Sequence, residues 1–266
     1  MVEGHHDTPS TEALSEIAAF TLSVCKPLYW HDRKLPWPKE VHGASCFIAR
    51  FRNRLIVITA DHVLQAYHND LERTPSLVCQ LGIMPYSLND ALIDRDRHLD
   101  IATFVLSEAE LKRIPGTAID CTGQWPPPEP ERMRAVSLAG FPEGIRTLHP
   151  AERAATFAAY GALAAIEDFT EREIIVTYEP ERDQAMPGAP RPPLGFNMSG
   201  CSGGPALMHD VRNGLHRWFV AGLIIGGSAE GSEGAAQEFD TIRLRRIHFV
   251  REDGTLETSP GGWLPR

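Results

Sequence analysis

Four of the five residues at 126–130 are prolines, within the stretch TGQWPPPEPERM at 122–133. Proline lacks the amide hydrogen that a β ladder needs and its ring fixes φ, so this run cannot form a central strand. It constrains the fold strongly because no regular element can cross it. We therefore predict a linker here, with one group of elements before it and another after it.

Short β-type runs separated by polar turns lie on both sides of the linker. Before it, ASCFIARF, the turn RNR and LIVIT predict a hairpin, and SLVCQLGI and DIATFVLS predict further strands. After it, the pattern continues in RAVSLAGF, REIIVTYEP, PALMHD and RWFVAGLIIGG. Alternating βαβ units are not visible, which disfavours a doubly wound sheet. Two groups of short strands predict an all-β fold of two packed β-barrels.

Both ends of the chain carry helix-like patterns. TEALSEIAAFTLSVC begins at Thr11, a residue type that caps helices, and predicts a helix in an extension that docks on the main body. EFDTIRLRRIHFVRE at 238–252 has mixed apolar spacing, and we predict a C-terminal helix there. The predicted organisation is an N-terminal extension at 1–35, a first barrel at 36–125, a second barrel at 126–250 and a C-terminal tail at 251–266.

The charge balance excludes several functions. A net charge of −9 over 266 residues argues against general binding of nucleic acid or an anionic membrane, because phosphate groups attract a basic surface. The basic run RLRR at 243–246 is interpreted as the solvated face of one element. No window reaches the roughly 18 apolar residues of a membrane-spanning helix. The N-terminus shows no secretion signal.

The cysteines and histidines give no metal or disulfide pattern. The five cysteines are an odd number without a CxxC pair, which fits neither a disulfide scaffold nor a structural zinc site. The eleven histidines are scattered without an HExxH spacing. We therefore expect no cofactor and no metal, and a reduced, cytoplasmic protein whose cysteines are mostly core residues.

Three stretches carry residues that suit nucleophilic catalysis together: VITADHVL with His62, HLDIATFVL with Asp100, and NMSGCSGGPAL with Ser202. Taken singly, each has a simpler interpretation, as a strand end, a turn former and a tight turn. Taken together, a histidine would accept the proton of the serine hydroxyl, and an aspartate would orient the imidazole. The order His, Asp, Ser along the chain is that of the chymotrypsin triad.

The sequences around these residues resemble the trypsin-like serine peptidases, in particular an intracellular bacterial type without disulfides. TADH is similar to the family's Thr-Ala-Ala-His, DIA to its Asp-Ile-Ala, and GCSGGP to its Gly-Asp-Ser-Gly-Gly-Pro. GFP at 140–142 and VAGLIIGG at 220–227 resemble strands of the second barrel. The resemblance spans roughly residues 43–250.

This resemblance implies two six-stranded antiparallel β-barrels and a serine endopeptidase that cleaves protein or peptide substrates through an acyl-enzyme. His62, Asp100 and Ser202 would be catalytic, and the amides of Gly200 and Ser202 would form the oxyanion hole. Gly203 and Gly204 would keep Cβ atoms away from the nucleophile. A pocket lined by Phe196, Ile225, Gly226 and Gly227, without an acidic residue, would favour a small or apolar side chain.

Other residues compete for these roles. Asp61 adjoins His62, but neighbouring side chains of an extended chain point to opposite faces. Asp94 and Asp96 lie in a charged stretch that we interpret as a loop, so Asp100 is preferred. Cys201 is a rival nucleophile, but the family's nucleophile position, before two glycines, is held here by Ser202. Cys201 stands where secreted members carry the aspartate that binds a newly cut N-terminus, and the Ile-Val-Gly-Gly stretch is also missing.

Two functional alternatives remain open from the sequence. One is a catalytically silent, trypsin-like binding or scaffolding module whose site is closed. The other is a protease gated by an activating partner protein, with the N-terminal extension and the PGAPRPP loop at 187–193 as places for such a gate.

Overall fold

The computed structural model describes residues 11–36, 40–152, 154–178, 199–212, 215–227 and 240–259. Over these ranges the chain is mostly β, as the sequence predicts, and its strands fall into two main groups. None of the helices in the same ranges is long and apolar enough to cross a membrane.

The first group is an eight-stranded sheet. Its main path runs in the order β5-β4-β1-β2-β3-β7-β6, and β8 pairs with β2 in parallel. This path does not close on itself within the described ranges, so the sheet differs from the six-stranded barrel that we predicted. Its strands are β1 (Cys25–Asp32), β2 (Val41–Phe51), β3 (Arg54–Thr59), β4 (Leu77–Leu81), β5 (Met84–Pro85), β6 (Leu92–Asp96), β7 (Ile101–Leu106) and β8 (Ile119–Asp120).

The second group contains a closed, six-stranded antiparallel barrel, as predicted for this half of the chain. The order is β12-β13-β16-β15-β14-β9, and β9 pairs back with β12. A separate hairpin is formed by β10 (Thr147–His149) and β11 (Ala154–Thr156). The barrel strands are β9 (Ala135–Gly140), β12 (Tyr160–Phe169), β13 (Glu173–Tyr178), β14 (Pro205–Arg212), β15 (Leu215–Gly227) and β16 (Asp240–Arg246).

The predicted helix near the N-terminus is present as α1 (Thr11–Val24), and it packs on β9, β12 and β14 of the barrel. The Thr21 hydroxyl donates to the Ser137 hydroxyl at 2.7 Å in this contact. The next strand, β1, pairs with β2 and β4 of the first sheet. The stretch assigned to an extension therefore supplies a strand to the first sheet as well as a helix against the barrel.

The prediction of a C-terminal helix at 238–252 is wrong. Residues 240–246 form strand β16, which pairs with β13 and β15, and only Ile247–Phe249 form a short 3-10 helix. Ile242 and Leu244 are buried on one face of the strand, while Arg243 and Arg245 on the other face pair with Glu173. Apolar and arginine side chains that alternate in this way have the period of a strand, and the pairing with β13 and β15 establishes that the segment is one.

The three other described helices are α2 (Asp61–Arg73), α3 (Leu88–Ala91) and α4 (Glu108–Leu111), and a further 3-10 helix covers Glu143–Ile145. The proline-rich stretch carries no strand and joins β8 to β9. It is held by Trp125, whose indole N–H donates to the Val250 carbonyl at 2.9 Å and whose ring packs edge-on against Phe51.

Each group of strands has its own apolar core, and the larger core joins them. The barrel core contains Val136, Ile174 and Leu244. The core of the first sheet also includes residues from the barrel half, among them Leu223 and Phe249. The two groups are therefore packed against each other, and the candidate site lies where β2 and β3 meet the turn that precedes β14.

Candidate active site

His62 lies in the first turn of α2, which begins immediately after β3. The sequence DHVLQAYHNDLER is helical here because Val63, Leu64 and Tyr67 form a buried face at helical spacing. Asp61, at the first helical position, carries a negative charge that favours the helix N-terminus. The sequence placed His62 immediately after an apolar strand run. That strand, β3, ends at Thr59, and His62 lies in the helix that follows it.

Asp100 binds His62 through both carboxylate oxygens. Oδ2 lies 2.8 Å from the ring Nδ1, and Oδ1 accepts the backbone N–H of His62 at 2.8 Å. The same carboxylate therefore orients the imidazole and satisfies one of the unpaired N–H groups of the first turn of α2. Asp100 holds a left-handed φ of 55°, a conformation that aspartate tolerates better than most residues. This geometry leaves Nε2 as the ring nitrogen that faces away from Asp100.

The electrostatics keep Asp100 charged. Burial acts to raise the pKa of Asp100, but the hydrogen bonds and charge of His62, with a smaller contribution from Arg245, outweigh it and hold the pKa below its ordinary value. Arg245 is itself buried on β16. A charged Asp100 stabilises the imidazolium that His62 would form on taking a proton.

The competing aspartates are engaged elsewhere. Asp61 is buried in a bidentate pair with Arg95, at 2.6 and 2.8 Å. Our reason for setting Asp61 aside was wrong in its premise, because Asp61 and His62 lie in a helix and not in an extended chain. Asp94 and Asp96 belong to strand β6 and not to a loop. Asp94 accepts the Leu256 amide, and Asp96 accepts the amides of His98 and Leu99.

Ser202 lies in the turn formed by residues 199–204, called the serine turn below. Its carbonyl accepts the N–H of Ser45 on β2 at 2.9 Å. Gly203 has φ +85°, and a Cβ there would lie 2.1 Å from Thr59 Oγ1 at the end of β3. The serine turn is therefore packed directly against the strand end from which α2 and His62 begin.

The serine turn needs glycines because atoms of neighbouring segments lie too close to leave room for a Cβ. Gly200 has φ +93°, a region that side chains disfavour. A Cβ on Gly204 would lie 2.0 Å from the Ala139 carbonyl oxygen. We predicted that Gly203 and Gly204 keep the nucleophile clear of Cβ atoms; the contacts show that both glycines admit neighbouring strands instead.

The directions of the two predicted oxyanion donors, the amides of Gly200 and Ser202, follow from the carbonyls of the same peptides. The Ser199 carbonyl accepts the Glu143 N–H at 2.8 Å, and the Cys201 carbonyl accepts the Gly204 N–H at 2.9 Å. In a trans peptide the N–H points opposite to the C=O. The Gly200 N–H therefore points away from Glu143, and the Ser202 N–H away from Gly204.

Cys201 is a core residue. Its side chain is buried in the barrel core, and a Cβ on Gly140 would lie 2.6 Å from its Sγ. Burial raises the pKa of the Cys201 thiol well above its ordinary value. All five cysteines are free and buried, as predicted from their spacing. A buried, protonated thiol is a poor nucleophile, so the structure disfavours Cys201 in that role.

The predicted substrate pocket is described in part. Phe196 lies outside the described residues. Ile225 is partly buried against the core of the first sheet, at a bulge between β15 and β16. Gly226 faces open space, since a Cβ there would meet no atom within 4 Å, and Gly227 is exposed. Within the described ranges, no cluster of three or more His, Cys, Asp or Glu residues is arranged to hold a metal.

Three residues with contacts at the site escaped the sequence analysis: Ser45, Thr59 and Glu143. Ser45 and Thr59 are fully buried hydroxyl residues in strands whose other buried residues are all apolar, and that contrast is the signal that could have drawn attention to them. Glu143 lies in the 3-10 helix after GFP, and no local pattern marks it.

No protein-family model and no curated protein matches the sequence. Among solved structures, the chain is similar to the active form of the Rv3671c protease from M. tuberculosis, with a TM-score of 0.43 and 16% sequence identity. The likeness covers 92% of this chain and 89% of that one. A match at this level is too distant to support a statement about activity.

Proposed function

We propose that the protein is a serine endopeptidase in which Ser202 is the nucleophile, His62 the general base and acid, and Asp100 the group that orients His62. The observation that carries the proposal is the two-point contact between Asp100 and His62, with 2.8 Å at each point. A base whose tautomer and direction are both fixed is what nucleophilic catalysis by serine requires.

The reaction follows from these roles. His62 Nε2 accepts the hydroxyl proton as Ser202 Oγ attacks the substrate carbonyl carbon, and the resulting oxyanion accepts hydrogen bonds from the Gly200 and Ser202 amides. The C–N bond breaks as His62 donates the proton to the leaving amine, which leaves an acyl group on Ser202. Water then attacks the acyl carbon as His62 takes one of its protons. The bond between that carbon and Ser202 Oγ breaks, His62 returns the proton to Oγ, and the carboxylic acid product leaves. No cofactor takes part in these steps.

Reaction with a fluorophosphonate probe tests the nucleophile. The wild-type protein should be labelled covalently, and Ser202→Ala should lose the labelling. Cys201→Ala is the matched control next to it in the chain, and it should retain labelling because the buried thiol is not the reacting group. Labelling of Ser202→Ala at the wild-type rate would contradict the serine assignment.

Digestion of a peptide library tests for endopeptidase activity. We expect cleavage after small or apolar side chains, a preference that rests on Phe196, Ile225, Gly226 and Gly227 in the sequence and on the open space beside Gly226. Cleavage after lysine or arginine would contradict that preference. No cleavage together with an unreactive Ser202 would favour the silent binding module. A gating partner and a cytoplasmic location stay predictions from the sequence.

A further inference from the structure

Ser45 is a fully buried residue of β2 that bonds to the serine turn with its side chain and its backbone. Its hydroxyl donates to the Gly200 carbonyl at 2.7 Å, and its N–H donates to the Ser202 carbonyl at 2.9 Å. The same hydroxyl accepts the Phe141 N–H at 2.8 Å, just after β9. The Ser45 carbonyl accepts the Thr59 hydroxyl at 2.7 Å. One residue of the first sheet thus joins β3, the end of β9 and the serine turn.

The contacts of Ser45 complete the fixing of the serine turn. The carbonyls of Ser199 and Cys201 are bound by the amides of Glu143 and Gly204. Ser45 binds the carbonyls of Gly200 and Ser202, so four successive peptide planes are held. The Gly200 carbonyl is the one bound by a side chain, and Gly200 is also a residue whose backbone has wide conformational freedom.

The neighbouring side chain cannot replace this bond. Cys201 is buried in the apolar barrel core, where its thiol is a weak donor. If the Ser45 hydroxyl were removed, the Gly200–Cys201 peptide would lose its partner. That peptide lies between the two peptides that carry the Gly200 and Ser202 amides, so without a partner it no longer fixes these two donors relative to each other.

We propose that Ser45 is a positioning residue that holds the two oxyanion donors relative to each other by binding the Gly200 carbonyl between them. This inference rests on the proposed function of Ser202. Since oxyanion stabilisation acts on the transition state, loss of the hydroxyl lowers kcat and leaves KM almost unchanged.

The test compares two buried serines in the full-length chain. Ser45→Ala is expected to lower kcat by roughly 10- to 100-fold, with KM within about twofold, and to slow fluorophosphonate labelling to the same extent. Ser137→Ala is the matched control: Ser137 is equally buried on β9, but its hydroxyl contacts Thr21 of α1 and not the serine turn. It should keep wild-type kcat per folded molecule, even if its melting temperature falls.

Hydrogen exchange gives a second readout that is independent of activity. Peptides that cover residues 199–204 should exchange faster in Ser45→Ala than in the wild type, and should be unchanged in Ser137→Ala. If Ser45→Ala does not fold, Ser45→Cys is used instead, because a thiol is similar in size and donates weakly.

The outcomes separate the two proposals. Wild-type kcat and labelling rate in Ser45→Ala overturn the role of Ser45 and leave the peptidase assignment intact. An equal loss in Ser137→Ala also overturns it, since the effect would then be general destabilisation. An unreactive wild-type protein overturns the proposed function and the catalytic role of Ser45 with it, and exchange in 199–204 then reports only whether Ser45 holds the turn.

Discussion

The two halves of the candidate site are held in different ways. In the first half, His62 at the start of α2 is fixed by the charged side chain of Asp100, which binds its ring and its backbone. Near the barrel, the serine turn is fixed through its carbonyls and through glycines that admit neighbouring strands. The first half therefore depends on charge and protonation, while the second depends on hydrogen bonds between uncharged groups and on steric fit. Substitutions in the two halves should therefore have different effects on activity and stability, and four predictions test that difference.

The largest effect is expected for Asp100→Asn. Asparagine can still accept the His62 backbone N–H, but its amide favours the wrong imidazole tautomer, so kcat should fall by roughly 10³- to 10⁴-fold. Steady-state kinetics on a cleaved peptide measure this loss. Asp96→Asn is the control, because Asp96 accepts only loop amides. A loss of kcat below about tenfold for Asp100→Asn would contradict the view that the His62 half of the site depends on charge.

Gly203→Ala should destabilise the serine turn, because its new Cβ would clash with neighbouring strands. The new Cβ would lie 2.2 Å from the Ser45 carbonyl oxygen, in addition to the cost of φ +85°. We expect a loss of unfolding free energy of more than about 3 kcal/mol, measured by denaturant titration. Gly123→Ala separates the two causes, because Gly123 has φ +69° but no atom within 4 Å of its Cβ position. It should lose only about 1–2 kcal/mol.

The stability that the Asp100–His62 contact contributes should depend on pH, because it requires the charged form of Asp100. The folded-state pKa of Asp100 lies below its ordinary value, so its ionised form contributes stability above the unfolded-state value of about 4. That contribution is lost as pH falls through the folded-state pKa. The melting temperatures of wild type and Asp100→Asn should therefore differ at pH 7 and converge in more acidic solution. A difference that stays constant with pH would contradict this view.

The smallest effect concerns Cys201. Because burial raises the pKa of its thiol, native protein should react with iodoacetamide at pH 8 far more slowly at Cys201 than denatured protein does. Mass spectrometry of the digested protein measures the modified fraction. Rapid alkylation of Cys201 in the native state would show that the serine turn opens, and would weaken the steric side of the comparison.

The sequence predicted those parts of the molecule that depend on local patterns. The hairpin β2–β3, the strand β7 and four strands of the barrel, β9, β13, β14 and β15, follow from apolar runs between turns, whereas the six-stranded closure of the barrel was implied by the resemblance. Strand β6, with the sequence LIDRD, was missed because its charged residues disguise a strand that only its pairing with β7 defines. Strand β16 was mistaken for a helix because its mixed apolar spacing does not report its pairing with β13 and β15, which defines it as a strand.

The candidate site shows the same limit. The local context of His62 and Asp100 predicted their roles, and their contact now supports the pairing. The contacts of Ser45 with Gly200 and Ser202 join residues more than 150 positions apart, and no local pattern reports such a contact. Asp61 was placed in an extended chain because the apolar run before it ends without a turn residue, so the start of α2 was not visible.

The position of α1 affects how this chain can fold. The helix rests on β9, β12 and β14, and its Thr21 meets Ser137, 116 residues later. During synthesis from the N-terminus, α1 and β1 emerge first, and the surface that receives α1 is made only after the proline-rich stretch has left the ribosome. Contacts this far apart in the chain form slowly. Helix α1 is therefore made before the strands on which it docks, and its buried face stays uncovered until those strands form.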